Sequence, residues 1–279
     1  MEVVRTIAAL RVAAAALRRQ YGALALVPTM GALHAGHRTL VTTAVASGAA
    51  VATSIFVNPL QFGANEDLSR YPRDEAGDLA LLEAAGNHLV WMPDAATMYP
   101  PDDATTITVG GPAELWEGTS RPGHFRGVAT VCAKLFGQVR PDRAYFGEKD
   151  WQQLQVVGRM VADLQLPLEI IGVETVRETD GLALSSRNRF LSAAERTVAP
   201  RLHEVMQTIA HALAARDDDT ERALTSGRDD LAAAGFATDY LALVDGPSLQ
   251  ALSSIRPGAR LIAAARLGSV RLIDNIPAG

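Results

Sequence analysis

The chain has 279 residues, with 26 Lys and Arg against 31 Asp and Glu, so its formal net charge is −5. This balance, with the basic residues scattered singly or in pairs, argues against general nucleic-acid binding, because polyanion binders rely on clustered Lys and Arg. The composition, 48% hydrophobic and 20% charged, is typical of a globular protein with a sizeable core, organised as one large domain or two modest ones.

The number of cysteines and the longest apolar stretches indicate the cellular location of the protein. Cys132 is the single cysteine of the sequence, which excludes an intrachain disulfide and a cysteine-based zinc site and favours a reducing, cytoplasmic location. Arg5 and Arg11 interrupt the amino-terminal apolar stretch, so no signal peptide is predicted. The uncharged stretch between Arg38 and Glu66 is long enough to span a bilayer, but its polar residues favour a helix followed by a strand.

Up to about residue 174 the chain alternates amphipathic helices with short apolar strands. Helices are predicted over the first twenty residues and over 34–48, 75–86, 125–139 and 151–164, and strands over 23–28, 49–59, 88–93, 142–147 and 168–173. This alternation predicts an α/β fold with a doubly wound, Rossmann-like parallel sheet and helices on both faces. Ligands of such sheets bind at the carboxyl ends of the strands, so we expect the functional residues to follow strands.

The pattern changes near residue 174. A polar loop at 177–188 is followed by predicted helices over 192–215 and 219–234 and by short strands within 239–245 and 260–274. We therefore predict two domains, 1–174 and 175–279, the second a smaller α+β domain. No dinucleotide fingerprint, P-loop, HExxH or GxSxG motif is present, so any phosphate site must be built differently.

The motif PTMGALHAGH, residues 28–37, follows a predicted strand and enters a helix. His34 and His37 lie one turn apart near the helix amino terminus, where backbone N–H groups and the helix dipole favour an anion. Gly31 and Gly36 leave room for a ligand to approach the backbone. The structural alternative is that one histidine caps or packs while the other is solvated. Two histidines are too few ligands for a typical catalytic zinc site.

Two further motifs also follow predicted strands. SIFVNPLQFG, residues 54–63, carries Asn58 and Gln61, whose amides can hold a carboxylate or hydroxyl, although the segment also fits an ordinary turn. DRAYFGEKDWQQLQ, residues 142–155, carries Lys149, placed to meet a phosphate, and Gln153 one turn later, facing the same cleft. A solvated lysine is the alternative there.

The fourth motif, GLALSSRN at residues 181–188, lies at the predicted domain junction. Ser185, Ser186 and Arg187 supply two hydroxyls and a guanidinium that can surround the phosphates of a nucleotide, although a single copy also fits a helix-capping loop. Four anion-binding loops in one acidic chain favour a nucleotide site over four unrelated turns.

These motifs also resemble a known family. HAGH resembles the HIGH-type signature of the nucleotidyltransferase superfamily, and LSSRN resembles its KMSKS-type loop. Together, PTMGALHAGH, FVNPLQFG, PGHFRGVATV, YFGEKDWQQL and VRETDGLALSSRN resemble the pantoate–β-alanine ligase family over nearly the full chain, more weakly at DYLALVD and AARLGSVRLIDN. The resemblance implies condensation of pantoate with β-alanine through a pantoyl adenylate, with ATP as substrate, Mg²⁺, and a homodimer. It implies no nucleic-acid or membrane partner. A related nucleotidyltransferase or acid-activating ligase with another substrate, and an ATP-binding module without turnover, are the alternatives.

The resemblance also assigns residues. It implies that the first domain binds ATP and pantoate and that the second closes over the nucleotide. The catalytic residues would be His34, His37, Lys149 and Arg187. ATP would be bound by Met30, Gly31, Ala32, Leu33, His34, Ala35, Gly36, His37, Gly147, Glu148, Lys149, Asp150, Val176, Leu184, Ser185, Ser186 and Arg187. Gln61 and Gln153 would hold pantoate, Gln61 also β-alanine, with Asn58 and Tyr71 in support.

Five details extend this assignment. The family treats the second histidine as a proton donor, but we expect both to act electrostatically, as cationic or hydrogen-bonding imidazoles, because pyrophosphate scarcely needs a proton. Leu184 stands where the family commonly has Met, a change of similar volume that we expect to be tolerated. Asp78 is a candidate contributor to a Mg²⁺ held mainly by phosphates and water. We expect the loop from Gly63 to Arg73 to cover the site, and the apolar segment 128–136 to form either core or dimer interface.

Overall fold

A computed structural model of the chain describes residues 1–63, 68, 71–215 and 219–279. Its central sheet has six strands in the order β1-β4-β3-β2-β5-β6, and every neighbouring pair is parallel. The strands are β1 (Glu2–Val4), β2 (Leu24–Thr29), β3 (Ala50–Ile55), β4 (Leu89–Trp91), β5 (Arg143–Gly147) and β6 (Glu169–Val173). The doubly wound parallel sheet predicted from the alternation of elements is confirmed.

Helices cover both faces of this sheet. They are α1 (Ile7–Tyr21), α2 (Ala35–Ala46), α3 (Glu75–Ala84), the short α4 (Ala95–Met98) and α5 (Glu117–Ser120), α6 (His124–Val139) and α7 (Trp151–Asp163). The alternation of side chains along β2 explains the two layers, because Leu24 and Leu26 join one core with α1, α6 and α7, whereas Ala25 and Val27 join a second core with α2 and α3. The sheet is therefore buried on both sides, as its apolar strands require.

The direction of winding reverses at β2. From β2 the chain winds outward through β3 and β4, and after β4 it returns to place β5 on the other side of β2 and β6 beyond it. Such a switch point leaves a crevice above the carboxyl ends of the two central strands. The segments that follow Thr29 and Gly147 therefore face each other across this crevice.

The smaller domain is an antiparallel sheet backed by helices. The strands β7 (Phe236–Asp245), β8 (Ala259–Leu267) and β9 (Val270–Pro277) pair in chain order, and the helices are α8 (Ala193–Val198), α9 (Arg201–Ala214) and α10 (Thr220–Ala233). They share a core of their own that includes Leu202, Met206 and Leu261. The predicted α+β character of this part is confirmed.

Three sequence predictions need adjustment. The three-residue strand β1, paired with β4, was not predicted. The helix predicted over 192–215 is two helices, because Pro200 has no N–H to continue the first and instead starts α9. The region 260–274 is a hairpin that turns at Gly268, whose φ is +56°.

The apolar segment 128–136 of α6 had two possible roles, core or dimer interface. Val128, Cys132 and Leu135 are buried in the core that α6 shares with α1 and the sheet. The segment is thus largely core within one chain. Among the helices of the described residues, none is both long and apolar enough to cross a bilayer.

Candidate active site

A cavity of about 240 Å³ lies above the carboxyl ends of β2 and β5, and all four predicted motifs reach it. From the first motif it is lined by Met30, His34, Gly36 and His37. The other three motifs contribute Asn58, Gln61, Gly147, Lys149, Asp150, Gln153, Leu184, Ser185, Ser186 and Arg187, and Tyr71 and Val176 complete the predicted set. The remaining predicted residues, Gly31, Ala32, Leu33, Ala35 and Glu148, do not line it.

The loop between β2 and α2 is folded around a buried carboxylate. Gly31 and Ala32 both have positive φ, +80° and +51°, which turns consecutive backbone N–H groups toward one point. Asp78 accepts hydrogen bonds there from Ala32 N at 3.0 Å and Leu33 N at 2.7 Å, and only 4% of the residue is exposed. A carboxylate held by successive N–H groups stabilises the loop. The structure thus gives Asp78 a role in holding the loop, and its contribution to Mg²⁺ binding stays a prediction.

The two histidines form a reciprocal cap at the start of α2. His34 Nδ1 accepts from Gly36 N at 3.2 Å, and His37 Nδ1 accepts from His34 N at 3.3 Å. A backbone N–H can only donate, so each Nδ1 must be unprotonated and each neutral ring carries its proton on Nε2. The ring centroids are 4.2 Å apart. His34 and His37 thus cap the helix and also line the cavity, two roles that the sequence presented as alternatives.

The surroundings keep both imidazoles neutral. Burial, followed by the charge of Lys149, lowers the pKa of His34 to about 4. Burial, followed by the neighbouring His34, lowers the pKa of His37 to about 3. At neutral pH each ring therefore offers an uncharged Nε2–H donor, which favours the hydrogen-bonding form of the expected electrostatic role over the cationic form.

The predicted amide pair lies at the end of β3. Asn58 is 1% exposed, and its Nδ2 donates to Gln61 Oε1 at 3.0 Å and to Gly127 O at 3.1 Å. Its Oδ1 accepts from Tyr99 Oη at 2.8 Å and from Leu60 N at 3.2 Å. Asn58 thus caps its own turn and also holds Gln61, the contact expected of a supporting residue. Sequence reasoning missed Tyr99, which lies 41 residues from Asn58.

The backbone of Gln61 is fixed by α6 and the turn before it. His124 Nδ1 and Gln61 O are 2.9 Å apart, and Arg121 donates to the same oxygen at 3.3 Å. The helix approaches so closely at Gly127 that a Cβ there would lie 2.2 Å from Leu60 O. The sequence motif PGHFRGVATV marked this segment, but it did not indicate that its residues hold Gln61.

The turn after β5 places its residues in opposite directions. Lys149 faces the cavity with 18% of its side chain exposed, and its Nζ lies 3.8 Å from Asp150 Oδ1, beyond hydrogen-bond distance. Gln153 lines the same cavity one turn later. Glu148 points away and pairs with Arg260 of β8 at 3.0 Å. The side chain of Glu148 therefore does not reach this cavity, and the ATP contact implied for the residue stays a prediction.

The loop at the domain junction closes against the start of α2. Leu184 N donates to Val176 O at 3.0 Å, and a Cβ placed on Gly36 would lie 4.0 Å from Leu184 Cβ. Ser185 Oγ accepts from Arg187 N at 3.2 Å and so caps the following turn. A second cavity, of about 440 Å³, lies between this loop, α5 and β9, and shares Lys149, Ser185 and Arg187 with the first.

Two expectations concern features at the edge of the site. The cover from Gly63 to Arg73 falls largely outside the described residues, since 64–67, 69 and 70 are not among them. Within its described part, Tyr71 is buried against Phe62, with ring centroids 5.9 Å apart. No group of three or more His, Cys, Asp or Glu that could hold a metal ion occurs in the part of the chain that the structure describes.

Known proteins share both the sequence and the fold. A family profile described as pantoate-beta-alanine ligase matches residues 2–277. The chain is 57% identical over 278 residues to a pantothenate synthetase of Acidiphilium cryptum, covering 99% of each, and 56% identical over 278 residues to one of Granulibacter bethesdensis, covering 99% of this chain and 96% of that protein.

Solved structures of proteins that share their names with this family or with these relatives superpose on this chain. A pantothenate synthetase of Thermus thermophilus superposes with a TM-score of 0.93 at 50% identity, covering 99% of both chains. A pantoate-beta-alanine ligase from Francisella tularensis, complexed with beta-gamma ATP and beta-alanine, superposes with a TM-score of 0.83 at 32% identity, covering 99% of this chain and 97% of that one.

Proposed function

This chain belongs to the pantoate–β-alanine ligase family and forms pantothenate at the expense of ATP, and we propose that the cavity above β2 and β5 is where the reaction takes place. One observation carries the assignment: His34, His37, Lys149 and Arg187 line the cavity that also contains the amides of the predicted acid site. The lining thus combines hydrogen-bond donors and cations with neutral amides, which suits a triphosphate beside a hydroxy acid.

The reaction requires two substitutions. In the first, a carboxylate oxygen of pantoate bonds to the α-phosphorus of ATP, and the bond from that phosphorus to the bridging oxygen of pyrophosphate breaks. In the second, the amine of β-alanine attacks the acyl carbon, AMP leaves with the shared oxygen, and the nitrogen releases a proton. Bringing two anions together is the main obstacle, so positioning and charge neutralisation supply most of the catalysis.

The phosphate side of the site is assigned to four side chains. His34 and His37 donate from Nε2 to phosphate oxygens, and Lys149 and Arg187 offset the charge that develops as pyrophosphate leaves. Because the pKa values of the two rings lie near 4 and 3 in the free protein, they enter the reaction as neutral donors. Neither ring needs to transfer a proton, since pyrophosphate is a stable anion.

The remaining residues position the substrates. Gln61 and Gln153 hold pantoate, and Gln61 also meets β-alanine, while Asn58 and Tyr71 support that side of the cavity. Gly147, Asp150 and Val176 contact the nucleoside, and Ser185 and Ser186 approach the phosphates from the domain junction. Apart from the two histidines, Met30 to His37 contribute mainly through the shape of their loop, and Leu184 packs against its end.

A Mg²⁺ ion is proposed only as a companion of ATP. Within the described ranges the chain offers no acidic cage, and the buried Asp78 is occupied by backbone donors. Mg²⁺ commonly keeps several waters and binds through substrate phosphates, so the triphosphate would supply most of its ligands. When bound, the ion would neutralise part of the phosphate charge.

Three broader features are proposed on the same basis. We propose that residues 1–174 bind ATP and pantoate and that 175–279 close over the nucleotide. The homodimer implied by the family resemblance would be tested by light scattering of the purified protein. The cytoplasmic location rests on the single cysteine, Cys132, which is buried and unpaired.

The decisive test of the activity is mass detection of pantothenate and AMP from ATP, pantoate and β-alanine. Pantoate-dependent exchange of labelled pyrophosphate into ATP isolates the first step and separates this activity from a ligase for another acid. His37→Ala should remove about 2.7–4 kcal/mol of transition-state stabilisation, a rate loss of about 10²–10³-fold. An unchanged rate with unchanged ATP binding would reject the site assignment.

A further inference from the structure

We propose that Asp274 and Asn275, adjacent residues of β9 in the smaller domain, are positioning residues that set the spacing between the two phosphate-binding loops. One of these loops is the turn that carries Lys149, and the other is the 177–188 loop that carries Arg187. The proposal rests on the function proposed above and adds residues to it. Neither residue lines the smaller cavity above β2 and β5, and Asp274 lines only the second cavity, so we assign both residues a positioning role that acts through the loops.

Asn275 holds the Lys149 turn by its backbone. Its Nδ2 donates to Glu148 O at 2.8 Å and to Lys149 O at 2.9 Å, and the residue is 4% exposed. Two consecutive carbonyls bound by one amide leave the turn little freedom to tilt. These contacts act directly on the backbone from which the Lys149 side chain enters the cavity.

The orientation of that amide is itself fixed. Arg260 Nε donates to Asn275 Oδ1 at 2.6 Å, and because a guanidinium can only donate, the oxygen must face it. The same guanidinium pairs with Glu148 Oε2 at 3.0 Å and lies 3.6 Å above the ring of Trp151, the first residue of α7. The two paired strands β8 and β9 thus hold both the backbone of the turn and the side chain of Glu148.

Asp274 holds the other loop through Arg177. Its two carboxylate oxygens accept from both terminal nitrogens of Arg177, at 2.7 and 2.9 Å, a bidentate pair that fixes direction as well as distance. Arg177 also donates to Gly181 O at 3.0 Å and pairs with Ala183 as an isolated β-bridge. Arg177 and Ala183 therefore bracket the segment that leads directly into Ser185 and Arg187.

The strand geometry explains why adjacent residues serve two loops. Successive side chains of a strand point to opposite sides, so Asp274 and Asn275 reach in different directions from one rigid backbone. That backbone is paired with β8, Asp274 opposite Ala263 and Asn275 opposite Ile262. The second cavity, which Asp274 lines together with Lys149 and Arg187, lies where the two loops meet β9. A shift of either residue would change the distance between the two cations.

The test compares Asn275→Asp with Trp116→Phe. The first substitution keeps the shape and the acceptor for Arg260 but loses both donors to the turn. The second removes a different contact between the domains, Trp116 Nε1 to Leu249 O at 2.8 Å, which touches neither loop. Both should lower the melting temperature. In pantoate-dependent pyrophosphate exchange, only Asn275→Asp should raise the KM for ATP, by about tenfold, with less than about a twofold change in the KM for pantoate.

Milder variants keep the test decisive if Asn275→Asp does not fold. Arg260→Lys retains a charge near Glu148 but removes the Nε donor that orients Asn275, and it should raise the KM for ATP by a smaller factor. Asp274→Asn should do the same through the Arg177 loop. If wild-type exchange is normal and these variants change ATP affinity no more than Trp116→Phe does, the two residues only join the domains and the proposal is wrong. If the wild-type enzyme shows no exchange, the proposed function fails first.

Discussion

Asn58 donates from Nδ2 to Oε1 of Gln61 at 3.0 Å, and this contact decides which end of the Gln61 amide faces the substrates. Leu60 N can only donate, so the oxygen of Asn58 must face it and the nitrogen must face Gln61. Gln61 is thereby left with its own nitrogen as the outward group, 3.2 Å from Met30 Sδ. An outward N–H suits the carboxylates of pantoate and β-alanine, whereas an outward oxygen would repel them.

The orientation of Gln61 predicts that substitutions at Asn58 and Tyr99 raise the KM for pantoate to different extents. Asn58→Asp cannot donate to Gln61, so the amide is free to reverse, and we expect the KM for pantoate to rise about tenfold with the KM for ATP nearly unchanged. Tyr99→Phe removes one of two hydrogen bonds to the Asn58 oxygen and should raise it by a factor of about two to five. Initial rates of pyrophosphate exchange measure both. Tyr145→Phe, in the core on the other face of the sheet, is the control and should leave both KM values unchanged.

The histidine cap predicts how stability depends on pH. Because the pKa of His34 is about 4 in the folded protein and 6.5 in the unfolded chain, the folded state binds fewer protons between these values. Its contribution to the free energy of unfolding is therefore complete above pH 6.5 and is lost as pH falls toward 4. His34→Asn keeps an N-cap acceptor for Gly36 N but cannot be protonated. Urea unfolding of this variant should show a shallower pH dependence between 4 and 6.5, and an identical dependence would contradict the pKa assignment.

The same variant separates capping from catalysis. At pH 7.5 His34→Asn should keep most of the stability of the parent, since Asn caps helices well. It lacks the Nε2–H donor, so pyrophosphate exchange should fall by about 10²-fold. Circular dichroism melting and exchange rates on one preparation give both readouts. Retention of full activity together with full stability would mean that His34 only caps α2.

Asp78 gives a prediction about the metal. Asp78→Asn replaces one acceptor of the Ala32 and Leu33 N–H groups by a donor, which should cost about 1–3 kcal/mol of stability and raise the KM for ATP. If Asp78 anchors the loop and does not ligate Mg²⁺, the Mg²⁺ concentration for half-maximal rate at saturating ATP should be unchanged. Asp74→Asn, which preserves the cap of α3, serves as the control. A large shift in the Mg²⁺ requirement would restore Asp78 as a metal contributor.

The sequence predicted the regular elements well because their signal is local. Alternating buried strands and amphipathic helices are visible in the spacing of apolar residues. Three of the four loops are visible because each follows a strand, and the fourth because it lies where the pattern changes between the domains. It missed β1, since three residues are too few to show a period, and it overlooked Pro200 as the break before α9. The interpretations weighed as alternatives proved compatible, because His34, Asn58 and Ser185 each cap a turn and line the cavity.

What the sequence could not predict is the set of contacts that aim the loops. Tyr99 reaches Asn58 and Asp274 reaches Arg177 across 41 and 97 residues, distances over which no single-sequence pattern specifies a partner. From the sequence Asp78 is only a candidate contributor to Mg²⁺ binding, and nothing in the sequence indicates that it holds the loop after β2. Only the positive φ angles of Gly31 and Ala32, a property of the folded loop, turn the N–H groups toward Asp78.

The contact between α6 and the Gln61 turn gives the sharpest steric prediction. A Cβ at Gly127 would lie 2.2 Å from Leu60 O and 2.6 Å from Gln61 N, so Gly127→Ala requires backbone to move. We expect a lower melting temperature and, because the displaced turn carries Gln61, a higher KM for pantoate. Gly137 lies in the same helix, and a methyl group added there would meet nothing within 4 Å, so Gly137→Ala should stabilise the protein by about 0.5–1 kcal/mol through helix propensity. If both substitutions stabilise the protein and leave the KM for pantoate unchanged, the close approach at Gly127 does not position Gln61. If Gly127→Ala destabilises the protein and raises the KM for pantoate, while Gly137→Ala stabilises it and leaves the KM unchanged, α6 sets the position of the Gln61 amide above the sheet.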